Sequence, residues 1–313
     1  MLTGTLAATA GFVVISAASG ATQILVGVLL ASASAGLCWA PFNKAVEQIA
    51  PLAKQARTLS TIAAGTSIGI MLAAALYLGV VVDLMRWAVA WMVFAGAGVL
   101  TTVIIAFGVP GGAASDQEPP RSPSPSLWSR NMAPLYAAAF VFGFVNAIFF
   151  SFAADRVVSA GGLPGIRDEA SSSVIFLAYG FFGLSGVFTG RLDAVIGLPS
   201  LLRLIFAAAA GSLLLMALAP TNWLSVIVSS GLQGAALMAL SATISFWSLG
   251  LFPGRGTRGF TAALFGLAGG SAIGPAIAGT VSDWLGPSTM FAVASVPAII
   301  LAAWPFDWMG KEP

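Results

Sequence analysis

Long apolar runs separated by short polar breaks dominate the chain. Most runs are about as long as a bilayer's hydrocarbon core, which about 20 helical residues cross. Continuous runs of this kind predict transmembrane helices, because the strands of a membrane β-barrel show short segments of alternating polarity. The ten predicted spans are residues 2–18, 22–42, 59–81, 87–107, 132–152, 171–189, 201–218, 223–249, 257–281 and 288–304.

One connection between spans differs from the short loops around it. Residues 109–131, which follow the fourth span, are rich in proline, serine and charged residues. Such a segment cannot bury enough apolar surface to fold alone, so it is predicted to be a flexible linker. It divides the chain into a first half-bundle of four spans, residues 1–108, and a second half-bundle of six spans, residues 132–313.

A glycine-rich span near the carboxyl end, residues 258–286, carries a clear packing signal. Gly266, Gly270 and Gly274 recur every four residues, so they lie on one face of a helix. In lipid, such a face lets a second helix approach to backbone contact, and it can also be a surface that slides when helices move. Pro275 follows directly, lacks a backbone donor and is expected to kink the helix.

An earlier segment repeats this pattern. Residues 57–83 contain Gly65 and Gly69, which are expected to form a second helix-packing face. Each lies 201 residues before its counterpart in the glycine-rich span, and ordered matches at one offset predict an internal duplication. At that offset the fifth and sixth spans have no counterparts. We therefore expect that two spans of a six-plus-six arrangement are missing, through a real truncation or an error in the assigned start.

Composition defines the class of protein. Of the residues, 58% are hydrophobic and 8% are charged, and the mean hydropathy is +0.96, whereas about a quarter of the residues in soluble domains are charged. The composition therefore predicts an integral membrane protein. The chain has no His and one Cys, which excludes His-based acid–base catalysis and His metal sites. We expect no cofactor, no metal and, at a net charge of +2, no nucleic-acid partner. A membrane-embedded enzyme is a remote alternative, because no catalytic set is evident.

The basic residues predict the orientation of the chain. With ten alternating spans, ten of the thirteen Lys and Arg residues fall in one set of loops and three in the other. Basic residues collect on the cytoplasmic side of membrane proteins. We therefore predict that both termini and the linker are cytoplasmic and that the protein resides in the plasma (inner) membrane.

Several features together resemble the major facilitator superfamily of secondary transporters, namely two halves, a central linker and a repeated glycine-rich helix. The Gly274-Pro275 pair followed by Gly279 is similar to the family's Gly-Pro signature. A segment at the end of the sixth span is similar to the family's loop motif between the second and third helices of a half. The resemblance maps the whole chain onto family helices three to twelve. The matching loop positions are Gly186, Gly190, Arg191, Asp193 and Gly197.

The resemblance implies an all-α integral membrane bundle whose solute site lies near the bilayer midplane between its halves. It also implies that residues 22–42, 132–152 and 223–249 line this site. A polar amide at membrane depth must find a partner, so Asn146 and Gln233 are expected to face either the cavity or another helix. The candidate cavity residues, five on these spans or their ends and one on a neighbouring span, are Trp39, Asn43, Asn146, Tyr179, Gln233 and Trp247.

The resemblance thus implies a transporter that moves a small-molecule solute by alternating access, lies in the lipid bilayer and is monomeric when complete. A proton is a candidate coupling ion, yet no acid lies at a span centre, so proton coupling stays open. Arg191 and Asp193 form either an ion pair that breaks during transport, as the resemblance implies, or a charged anchor with a helix-capping acid. The main alternative is a transport-incompetent form truncated at its amino end.

Overall fold

The computed structural model describes residues 1–108, 132–252 and 256–306, and the predicted linker at 109–131 lies outside these ranges. Within them the regular structure is helical, without strands. Short 3-10 turns at Asp168–Ala170 and Leu184–Phe188 flank α6. The helices are α1 (Leu2–Ser16), α2 (Ala21–Ile49), α3 (Leu52–Val81), α4 (Trp87–Gly108), α5 (Ala133–Ser159), α6 (Ser171–Gly183), α7 (Thr189–Leu218), α8 (Trp223–Leu251) and α9 (Gly256–Ala303).

The described ranges contain seven helical stretches that are long and apolar enough to cross a membrane, and a shorter apolar helix at Leu2–Ser16. Two stretches, Asp168–Leu218 with 51 residues and Arg258–Ala303 with 46 residues, are each long enough for two crossings. Each is divided by a glycine in the left-handed region, Gly197 at φ 76° and Gly286 at φ 82°, a conformation that other residues adopt at a cost. The predicted all-α membrane bundle is confirmed. The ten predicted spans fall two in each of the long stretches, one in each of the other five, and one at Leu2–Ser16.

Pro275 does not interrupt α9. The backbone stays in the helical region through this residue, and the departure from helical angles comes at Gly286. A proline has a helical φ itself and removes only one backbone hydrogen bond, so a helix that packs well can continue through it. The break at Gly286 falls between the predicted spans 257–281 and 288–304, and the kink expected at Pro275 stays a prediction.

The helices form two compact units, and the boundary between them runs through α3. The first unit contains residues 1–49 and 76–108, and the second contains residues 50–75 together with the described residues from 132 onward. This grouping differs from the predicted half-bundles because the first part of α3 packs against α6 and α7.

In the first unit, α1 packs against α2 and α4. A Cβ on Gly11 of α1 would lie 2.6 Å from the carbonyl oxygen of Gly27 in α2, so these two backbones touch. On the other side of α1, the ring of Phe12 contacts the rings of Trp91 and Phe94 in α4, with centroids 6.0 and 5.7 Å away. Small residues on one face and aromatic rings on the other thus hold α1 in place.

In the second unit, a basic side chain caps the carboxyl end of α7. Arg156 of α5 donates from Nε to the carbonyl of Met216 at 3.3 Å and from Nη2 to that of Ala217 at 3.1 Å. Ser288 of α9 donates its hydroxyl to the same Ala217 carbonyl at 2.7 Å. The last carbonyls of a helix have no partner within it, so these two side chains join the carboxyl end of α7 to the end of α5 and to α9 just after its break at Gly286.

The glycine face of α9 packs along α5. A Cβ on Gly266 would lie 3.2 Å from the carbonyl oxygen of Tyr136. One on Gly270 would lie 2.7 Å from the amide nitrogen of Phe144, and one on Gly274 would lie 2.7 Å from the carbonyl oxygen of the same residue. Real Cβ atoms do not come this close to backbone at the last two positions, so the α5–α9 contact requires glycine there.

The corresponding glycines of α3 do not form such a face in the described part of the chain. A Cβ built on Gly65 or Gly69 meets no heavy atom within 4 Å. The expected packing role of these two glycines therefore has no counterpart among the described contacts, because no described helix lies against that side of α3. Gly279 of α9 lies near a neighbour but does not require glycine, since a Cβ there would make an ordinary contact at 4.0 Å with the ring of Phe152.

We predict opposite effects for one substitution at two related positions. Gly270→Ala should lower the thermal stability of the purified protein, because the added methyl group forces α9 away from α5 at a cost of about 1–3 kcal/mol. Gly69→Ala should leave stability unchanged or raise it, because alanine favours a helix by up to about 1 kcal/mol over glycine. Thermal unfolding in detergent measures both, and equal losses would contradict the α5–α9 packing.

Candidate functional site

Three of the predicted cavity residues meet at the middle of the second unit. Asn146 lies thirteen residues from each end of α5, or about 20 Å along the helix. Its side-chain oxygen Oδ1 accepts a hydrogen bond from the Tyr179 hydroxyl of α6 at 2.8 Å and one from Nε2 of Gln233 in α8 at 3.3 Å. Residues from three different helices thus share a single acceptor, and we call these residues the polar cluster.

Close packing of α6 on α8 brings the polar cluster together. A Cβ on Gly234 would lie 2.7 Å from the carbonyl carbon of Tyr179, so the two backbones touch at this level. Next to Gly234, Gln233 projects toward α5 and bonds Asn146. The ring of Tyr179 is packed between those of Phe149 and Phe150, with centroids 6.0 and 5.1 Å away, which leaves its hydroxyl directed at the amide.

The polar cluster is buried but not fully hydrogen-bonded. Tyr179 and Gln233 are 0% exposed, whereas Asn146 is half-buried. The side-chain oxygen Oε1 of Gln233 is buried and has no hydrogen-bond partner among the described residues. A buried amide oxygen left without a donor is unfavourable, so the cluster retains an unused capacity to accept a hydrogen bond.

The polar cluster carries no formal charge. Neither α6 nor α8 contains a charged residue, and the two in α5, Asp155 and Arg156, lie at its end, about 14 Å from Asn146 along the helix. In the described part of the chain, no three His, Cys, Asp or Glu side chains are grouped so that they could hold a metal ion. The arrangement can therefore bind by neutral hydrogen bonds.

The other predicted cavity residues do not join the polar cluster in the described structure. Trp247 is 6% exposed and lies fourteen residues beyond Gln233 on α8, about 21 Å along the helix. Trp39 is half-buried in α2 of the first unit. Asn43 lies in the same helix, and its side chain is outside the part that the structure describes.

The loop motif contacts α3 through glycine. A Cβ on Gly190 would lie 3.1 Å from the carbonyl carbon of Ala56, so α3 touches the start of α7. The amide N–H of Gly190 donates to Oγ of Ser60 at 3.1 Å, and that hydroxyl donates to the carbonyl of Ala56 at 2.8 Å. Early amides of a helix have no partner within it, so Ser60 caps α7 from a different helix.

Two further glycines extend the contact between α3 and α6. A Cβ on Gly180 would lie 2.8 Å from the carbonyl oxygen of Ser67, and one on Gly183 would lie 2.5 Å from its hydroxyl. That hydroxyl is buried and has no hydrogen-bond partner among the described residues. Ser60 and Ser67 were not among the residues predicted from the sequence. The spacing of Gly180 and Gly183, three residues apart and followed by Gly190, was the signal that could have indicated a helix contact.

The remaining motif residues have different environments. Gly186 faces the side chain of Met238, and Gly197 provides the break that separates the first part of α7 from its membrane-spanning part. The guanidinium carbon of Arg191 lies 6.0 Å from the centre of the Phe188 ring. No ion pair joins Arg191 to Asp193 among the described residues, and the two alternatives for their role stay predictions.

The arrangement of helices identifies the fold. No family model and no curated protein matches the sequence. A crystal structure of a variant of the E. coli fucose:proton symporter FucP matches with a TM-score of 0.64 at 16% identity, covering 99% of this chain and 83% of that chain. A structure described as the major facilitator superfamily transporter FucP in the outward conformation gives 0.66 at 16% identity, covering 99% and 82%. The chain has the major facilitator fold.

We predict that Asn146→Leu destabilises the second unit more than Tyr179→Phe does. The leucine removes the acceptor of two buried donors, at about 1–3 kcal/mol for each donor left unpaired. The phenylalanine removes one donor, leaves Asn146 bonded to Gln233 and should cost about 1 kcal/mol. Thermal unfolding of both variants measures the difference, and an equal or smaller loss for Asn146→Leu would contradict the shared acceptor.

Proposed function

We propose that the protein is a membrane transporter that moves a small solute by alternating access, with the polar cluster as part of its solute site. The observation that carries the proposal is the convergence of Asn146, Tyr179 and Gln233 at the middle of α5. In transporters of this architecture, solute sites lie near the bilayer midplane. Both termini and residues 109–131 are assigned to the cytoplasmic side of the plasma membrane.

The bonding of the polar cluster favours a solute site over simple helix packing. Polar side chains that only join helices satisfy one another, because an unpaired polar group in hydrocarbon is costly. Here the amide nitrogen of Gln233 donates a hydrogen bond to Asn146. Its side-chain oxygen Oε1 is buried and has no hydrogen-bond partner among the described residues. Asn146 is half-buried, which makes it the member of the cluster that a solute reaches first.

Coupling to a proton gradient would require a group outside the polar cluster. One of the structurally similar proteins is described as a proton symporter. The cluster itself contains two amides and a phenol. Groups of these types do not exchange between protonated and deprotonated forms near neutral pH. If transport responds to a proton gradient, the responding group therefore lies elsewhere.

The contact of α3 with the start of α7 is the proposed gate. In the two-half architecture α3 belongs to the first half and α7 to the second, so this contact changes when the halves move. Ser60 caps the Gly190 amide at 3.1 Å, and the small residues beside this bond leave room for one helix to slide along the other. Arg191 and Asp193 adjoin the gate and hold its charged rim at the membrane surface.

Transport is tested with the purified full chain in proteoliposomes. We expect uptake or counterflow of at least one member of a broad panel of labelled small solutes, and loss of that movement in Asn146→Leu protein. The panel is run with and without a proton gradient, which assigns the coupling. If the intact protein moves no member although it is folded, the transport-incompetent alternative is correct.

We predict that Ser60→Ala weakens the gate, whereas Thr61→Ala does not. Ser60 is 0% exposed and bonds Gly190. Its neighbour Thr61 is exposed and donates to the Arg57 carbonyl of its own helix at 3.0 Å. Hydrogen exchange of the peptide containing Gly190 should become severalfold faster in Ser60→Ala alone, since one hydrogen bond contributes about 1 kcal/mol. Equal exchange in both variants would show that Ser60 does not hold this contact.

A further inference from the structure

A second unpartnered oxygen lies on the same face of α8 as the amide of Gln233. Ser230 is 0% exposed, and its hydroxyl has no hydrogen-bond partner among the described residues. It precedes Gln233 by three residues, a spacing that places two side chains on one helix face with Cβ atoms about 5–6 Å apart. The face therefore presents two buried acceptors, one turn of helix apart, at the level of the polar cluster.

Serine hydroxyls in a helix ordinarily bond a carbonyl of the preceding turn. Thr243 and Ser245 of the same helix do so, at 2.7 and 2.9 Å. Ser229 instead donates to the Ser212 carbonyl of α7 at 2.7 Å. The buried hydroxyls of Ser230 and Ser248 have no partner among the described residues, and of these two only Ser230 lies within one turn of Gln233 on α8. An oxygen that is buried without a partner lowers stability, so its presence at this position points to a ligand that supplies the missing bond.

The charge of the surroundings restricts that ligand. The three helices of the polar cluster carry no charged residue within about 14 Å of Asn146 along their axes. A charged solute held there would lose its hydration without gaining a counter-charge, which is strongly unfavourable. A neutral solute with hydroxyl or amide N–H groups would instead satisfy the two acceptors.

We infer that the solute of this site is uncharged and carries at least two hydrogen-bond donors, which Gln233 Oε1 and Ser230 Oγ accept. The inference rests on the proposed function, because it concerns the same solute site. It makes a statement about binding alone, so a binding measurement tests it separately from transport. The amide oxygen of Gln233 only accepts. Solutes without donors are therefore rejected even when they have the right size.

Binding is measured on the purified full chain as a ligand-dependent shift in thermal unfolding. The probes are a set of neutral polyols and monosaccharides of four to six carbons, their fully O-methylated derivatives, and the corresponding carboxylates and amines. We expect a saturable shift with at least one neutral member and none with its methylated or charged counterparts. A shift with charged members only, or with no neutral member, overturns the inference. In the second case internal water or contacts outside the described residues satisfy the two oxygens.

Three α8 variants separate a binding role from a structural one. Ser230→Ala should weaken the binding of the active neutral probe by about tenfold, the effect of one hydrogen bond of about 1.4 kcal/mol. It should also leave the unfolding temperature without solute unchanged or raise it by about 2 °C, because an unpartnered buried hydroxyl is removed. Gln233→Met should weaken binding by at least the same factor. Ser245→Ala, whose hydroxyl bonds its own helix, should bind the probe normally.

The two readouts also separate this inference from the proposed function. Binding without movement in proteoliposomes contradicts transport and leaves the site intact. Movement of charged solutes that Ser230→Ala does not affect supports transport and contradicts the site. If Ser230→Ala lowers both the stability without solute and the affinity, the hydroxyl has a structural role and the inference is wrong.

Discussion

Backbone contact between helices at glycine is the constraint on which the second unit depends. In a bilayer no water drives helices together, so association relies on close van der Waals packing and on polar bonds between helices. Gly270 places α9 on α5, Gly234 places α8 on α6, and Gly190 places α7 on α3, and in each case the partner is backbone. A larger side chain at any of these positions would separate a helix pair and move every group that the pair aligns.

The polar cluster is a consequence of that packing. Gly234 sets the level at which α6 and α8 meet, and this level places Tyr179 and Gln233 on either side of Asn146. The side-chain oxygens of Gln233 and Ser230 have no hydrogen-bond partner among the described residues, and they are the acceptors that we propose for a solute. On this face of α8, unpaired oxygens lower the stability of the fold, and the same oxygens are what the proposed binding of a solute requires.

Features that depend on residues close together in the sequence were predicted correctly, whereas features that depend on contacts between distant helices were not. Apolar run lengths are local, and they predicted the ten spans and the all-α membrane fold. The four-residue spacing of Gly266, Gly270 and Gly274 is also local and matches the observed face on α5. The same signal at Gly65 and Gly69 did not correspond to a described contact, because a pattern shows that a face is available and not which helix occupies it.

The sequence by itself determined that this chain is helical, membrane-embedded and poor in ionisable groups at membrane depth, because these properties follow from composition and periodicity. It also singled out Asn146 and Gln233, since an amide in an apolar run stands out against its surroundings. Only the tertiary structure decided that Gln233 and Tyr179 both donate to the side-chain oxygen of Asn146, and that Ser60 caps a different helix. Those relations join residues 33 to 130 positions apart, and their distances depend on helix crossings that no local pattern specifies.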